Sequence, residues 1–82
     1  MTKIIDNVLL LEVNKNDLLN LNEIINENFL ETKELLKNET SKIHSEATIF
    51  IEGNPKNYNF KIISENEESI LIIESIIDKI IN

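Results

Sequence analysis

The chain has 82 residues, no cysteine, and 15 acidic against 8 basic residues, for a net charge of −7. That length allows one small domain, and the absence of cysteine excludes disulfide staples and thiolate metal sites. Every basic residue is a lysine; phosphate neutralisation drives nucleic-acid affinity and base reading leans on the arginine fork, so direct nucleic-acid binding is not expected.

Residues 1–82 read as a single acidic α+β domain. Its field would draw in a basic protein surface and speed association in a salt-dependent way. No segment reads as a targeting or membrane element: Val8-Leu9-Leu10-Leu11 is short and flanked by Asp6 and Glu12. A cytoplasmic protein with no membrane partner is the expectation. A core of this size supplies limited stability, and the isoleucine load leaves a homodimer open.

Ile4 to Val13 is ambiguous. Ile4, Ile5, Val8, Leu9 and Leu11 would suit a short helix, whereas Val8 to Val13 reads as a strand after a short lead-in. The strand is preferred and would be a third, N-terminal member of the sheet. Asn14-Lys15-Asn16 then breaks the pattern, and Asn14 or Asn16 can cap the next element.

A helix is predicted from about Asp17 to Lys37, with no Gly or Pro inside it. Leu18, Leu21, Ile25, Phe29, Thr32 and Leu36 form its apolar face, flanked by Leu19, Ile24, Leu30 and Leu35, so a wide buried face is expected. Glu23, Glu27, Glu31 and Glu34 succeed one another at spacings of four, four and three on the opposite side. Like charges so placed cost about 0.2–0.5 kcal/mol per pair. Such a stripe is either tolerated or used.

Ala47–Glu52 and Tyr58–Ser64 are β-rich runs separated by Gly53-Asn54-Pro55-Lys56-Asn57, which is strong turn chemistry, so a hairpin is predicted. Ser64-Glu65-Asn66-Glu67 has capping-box spacing and opens a C-terminal helix of about 14 residues. Ile70, Ile73, Ile77, Ile80 and Ile81, with Ile76 beside them, mark its buried side; Glu67, Glu74 and Asp78 mark the other. The expected architecture is a small antiparallel sheet packed by the long helix and the C-terminal helix.

Catalytic and cofactor chemistry lacks its parts. His44 is the only histidine and Gly53 the only glycine, which argues against a zinc site and excludes a Gly-rich phosphate cradle. Glu65, Glu67 and Glu68 have the oxygens for a divalent cation but no calcium-loop pattern, and the helix dipole already accounts for acids there. No catalytic residue, cofactor or metal is assigned.

Ile49-Phe50-Ile51-Glu52-Gly53-Asn54-Pro55-Lys56-Asn57-Tyr58, then Ile63-Ser64-Glu65-Asn66-Glu67-Glu68-Ser69-Ile70, resembles the hairpin and helix of small phage anti-CRISPR proteins that inhibit the type II RNA-guided nuclease. The resemblance covers roughly a quarter of the chain and stops before residue 47. It implies inhibition by carboxylates presented where the nuclease would bind DNA. Glutamates four apart stand ~6 Å apart along a helix, against a phosphate every ~3.4 Å along a DNA strand. One stripe therefore imitates few phosphates, and acids from other elements would have to join it.

The expectation is a non-enzymatic inhibitor or interaction protein of phage or bacterial-conflict origin. Glu23, Glu27, Glu31, Glu34, Glu65, Glu67, Glu68 and Glu74 would face a basic partner protein such as a nuclease. An immunity or antitoxin-like protein plugging a toxin is the same physics with another target. A third reading is a structural module that self-associates through Ile73 and Ile77.

Overall fold

The computed structural model describes residues 1–81. In chain order it contains β1 (Thr2–Val8), α1 (Leu21–Thr40), β2 (Ala47–Asn54), β3 (Asn57–Ile63) and α2 (Glu67–Ile81). The α+β class, the hairpin and both helices are as expected. The sheet order is β1-β2-β3.

β2 alternates cleanly, with Ala47, Ile49 and Ile51 buried on one face. It pairs antiparallel with β3 (Ile49 opposite Ile62, Ile51 opposite Phe60) and parallel with β1 (Ile4 opposite Ile49, Asp6 opposite Ile51). The third strand thus makes the sheet mixed rather than wholly antiparallel, because α1 carries the chain back across the sheet as a parallel crossover requires. That strand also lies at Thr2–Val8 rather than Val8–Val13. The Asp6 carboxylate accepts the Val8 amide at 2.9 Å, a local bond that competes with continued pairing and ends the strand.

Both helices cover the Ile49/Ile51 face. Phe29 and Leu36 of α1 and Ile73 and Ile77 of α2 close the core over β2. Tyr58 and Phe60 of β3 join it through edge-to-face aromatic contacts, with Tyr58 4.9 Å from Phe29 and 5.8 Å from Phe60. The opposite face of the sheet carries Lys3, Ile5 and Asn7, then Thr48, Phe50 and Glu52, then Asn59, Lys61 and Ile63, and has no covering layer among the described residues.

The caps differ from expectation. Asn20, not Asn14 or Asn16, caps α1 and accepts the Glu23 amide, so the helix begins four residues later than predicted and runs three residues further. Asn14 instead accepts the Asn16 amide in a turn. At α2 the cap is Asn66, whose side chain accepts the Glu68 amide and whose carbonyl accepts that of Ile70. Ser64 donates to the Glu46 carbonyl at 2.7 Å and so fastens the end of β3 to the entrance of β2.

The buried side of α1 is narrower than expected. Phe29 and Leu36 are buried and Ile25 and Thr32 half-buried, but Leu21, Ile24, Leu30 and Leu35 are exposed, and Leu18 and Leu19, also exposed, precede the helix. A three-stranded sheet is too small to cover the whole of a 20-residue helix. In α2, Ile73 and Ile77 are buried while Ile81 is exposed.

Asn54 accepts the amides of Lys56 and Asn57, closing a turn of Pro55 and Lys56 that is tighter than the predicted five-residue loop. Gly53 enters it at φ +121°, and a Cβ there would collide with the Asn57 carbonyl oxygen. Gly53→Ala is expected to cost about 1–3 kcal/mol, since it adds both strain and a backbone clash. Thermal unfolding should show this as a fall in Tm of at least ~4 °C.

Candidate functional site

The stripe residues Glu23, Glu27, Glu31 and Glu34 are all exposed on the side of α1 turned away from the sheet. At 1.5 Å rise per residue they span about 16 Å. Lys33 and Lys37 of the same helix border a hollow between α1 and β1 with Ile4 and Thr40; Lys33 pairs with Asp6, while Lys37 is exposed and lies one turn after Glu34. The ion pairs among the described residues are Lys33–Asp6, Lys42–Glu39 and the Met1 amino group with Glu46. None of the eight candidate acids takes part in one of these.

The remaining acids do not extend the stripe into one patch. Glu74 and Asp78 border a shallow groove between α2 and β3, lined by Tyr58, Phe60 and Ile77. Glu67 lies two turns before Glu74 on the same side of α2. Glu68 lies about 100° further round the helix, and both it and Glu67 sit in the first turn, where the helix dipole favours acids. Glu65 belongs to a different hollow, beside Lys3, Glu46 and Ile63. Among the described residues no group of three or more His, Asp or Glu side chains is placed to hold a metal ion, and His44 is exposed. No helix of the described residues is long and apolar enough to cross a membrane.

Two features are not visible in the sequence pattern. The first is a set of asparagines that holds the β1–α1 connection. Asn26, buried on α1, accepts the Leu11 amide and donates to the Leu11 carbonyl, both at 2.9 Å, so its side chain imitates one rung of a strand pair. Asn22 donates to the Glu12 carbonyl at 2.9 Å and Asn20 to that of Asn14 at 2.6 Å. The one signal available is Asn22 and Asn26, four apart on a side otherwise defined by Ile25 and Phe29. Asn26→Ala strands both Leu11 groups and should cost about 1–3 kcal/mol. Amide exchange at Leu11 should accelerate relative to that of the core strand β2.

The second feature is the pair Asp6–Lys33, 2.8 Å apart between β1 and α1. Partial burial by itself would raise the Asp6 carboxyl. The Lys33 hydrogen bond, the Val8 amide and the Lys33 charge together outweigh burial and hold the group below its ordinary value of 3.8. A carboxyl lowered in the folded state contributes stability above its unfolded pKa, and that stability is lost as pH falls through the folded pKa. Asp6→Asn should therefore be less stable than the parent at neutral pH, and the difference should shrink below about pH 4 in denaturation curves.

Comparison of the chain with protein-family models, with curated proteins and with solved structures finds no match.

Proposed function

We propose that this chain is a non-enzymatic binding protein that occupies a basic surface of a partner protein with the outer face of α1. The supporting observation is that Glu23, Glu27, Glu31 and Glu34 stand exposed in one row and none of them takes part in an ion pair among the described residues. A row of uncompensated carboxylates on a rigid helix destabilises that helix and gains its return only when opposite charge is brought to it.

The partner chemistry that fits is a cationic groove of the kind that holds a nucleic-acid backbone, in a nuclease or in a toxin. The spread of Glu65, Glu67, Glu68 and Glu74 over separate surfaces favours a contact centred on α1, with few phosphates imitated. This is the mode of inhibition implied by the anti-CRISPR resemblance, delivered from a helix that the resemblance does not cover.

The test replaces the four stripe glutamates by glutamine. The substitutions touch only exposed side chains, so the domain stays folded and gains about 0.6–1.5 kcal/mol as three like-charge neighbours are relieved. Binding to a basic protein captured from bacterial lysate at low salt should weaken by at least ~10-fold and lose most of its salt dependence. Unchanged affinity and salt slope would make the stripe a solvated surface.

A further inference from the structure

Every large apolar residue from Leu9 to Ile24 except Leu11 is exposed. Leu9 is 82 % accessible, Leu18 108 %, Leu19 69 % and Leu21 63 %, with Leu10, Val13 and Ile24 between 42 and 51 %. These residues lie on the β1–α1 connection and the first turn of α1. The segment is a built element, because Asn20, Asn22 and Asn26 fasten its backbone to α1. It also shapes the molecule. The chain measures 48 × 18 × 18 Å with a radius of gyration of 14.3 Å, against about 12 Å for a compact domain of this length. This connection, the leucine arm, keeps its apolar side chains outside the core.

From these observations we infer that the leucine arm is a self-association surface, and that its occupant is the arm of a second copy of this chain. The area suits a pair. The seven side chains amount to between four and five fully exposed ones, or roughly 400 Å² of apolar surface at the area implied by the usual transfer coefficient. Two arms face to face would bury at most about 800 Å² of apolar surface, twice that single-arm estimate. At the apolar share usual for interfaces this corresponds to a total near ~1,300 Å², within the range of stable complexes. A two-fold pair is also the commonest closed arrangement, and one self-complementary patch is all that it needs.

Charge sets the conditions for pairing. Glu12, Asp17, Glu23 and Glu27 rim the arm and Lys15 is its only cation, so two arms repel at low salt. Leu21 and Ile24 are neighbours on the helix surface, while Glu27 lies one turn beyond Ile24 and Glu23 about 100° round the helix from it, which leaves both carboxylates at the edge of a pair. Screening the rim should therefore strengthen association. The isoleucine-helix route does not compete, because Ile73 and Ile77 are spent in the monomer core; Ile73→Asp would unfold the chain rather than separate two copies.

Sedimentation equilibrium over a wide concentration range, at low and at raised salt, tests the inference. A monomer–dimer equilibrium is expected whose dissociation constant falls at raised salt. Leu18→Ser with Leu19→Ser should raise that constant at least ~10-fold, while Ile5→Ser with Ile63→Ser on the bare sheet face leaves it unchanged. Circular dichroism establishes that both variants remain folded. A monomer under all conditions, or a dimer indifferent to the arm substitutions, overturns the proposal. The result is separable from binding to a basic partner, since raised salt weakens that contact and strengthens this one.

Discussion

One strand carries the architecture. β2 is central in a sheet of three strands, and its inner residues Ile49 and Ile51 are wholly buried. Both helices lie over that same side of the sheet, and the other face has no covering layer among the described residues. Phe29 and Leu36 reach β2 from α1, and Ile73 and Ile77 reach it from α2. The helices must then lie side by side, and each keeps only a narrow stripe of its surface for the core. The outer face of α1, its acidic row and its unburied leucines are all consequences of that restriction.

Where apolar burial runs short, polar fasteners hold the margins. Thr2 donates to the Ser45 carbonyl at 3.0 Å and Ser64 to that of Glu46 at 2.7 Å, so the two edge strands are tied to the segment entering β2. Asp6 and Lys33 bind β1 to α1, and Asn26, two turns before Lys33 on the same side of the helix, binds the connection. No buried side-chain nitrogen or oxygen among the described residues lacks a partner. That matters for so small a core, because one unpaired buried group costs a large share of the total stability.

The legible parts of the sequence are those whose signals are local. Gly53 to Asn57 announces the hairpin, and the Ile70–Ile80 spacing announces the inner side of α2. Periodicity misplaces β1 because its inner row is Thr2, Ile4, Asp6 and Val8. A charged residue in that row spoils the alternation, and the partner that makes it tolerable, Lys33, lies 27 residues away. The start of α1 is ambiguous because Asn14, Asn16 and Asn20 are all competent caps. Asn20 alone has a glutamate three residues on, at Glu23, which favours a start at Leu21. The acidic stripe is legible as a spacing. That Lys33 is engaged by Asp6 depends on where β1 lies, and the leucine arm depends on where the sheet ends, so periodicity carries neither.

α1 thus divides its surface by direction and by length. Around its axis, Phe29 and Leu36 face the core, Lys33 faces β1, and the glutamates face outwards. Along its axis, Phe29 and Leu36 join the core, while Leu21 and Ile24 of the first turn stay exposed with the leucine arm. Glu23 and Glu27 fall where the two proposed surfaces meet. They belong to the acidic row and also rim the arm, and a cation drawn to them relieves both the like-charge cost on the helix and the repulsion between two arms. A basic partner seated on α1 would therefore alter self-association even without touching a leucine. The two contacts are coupled through the same carboxylates, and the sign of the coupling depends on what the partner covers: neutralising Glu23 and Glu27 favours pairing of the arms, whereas occupying the apolar surface beside them prevents it.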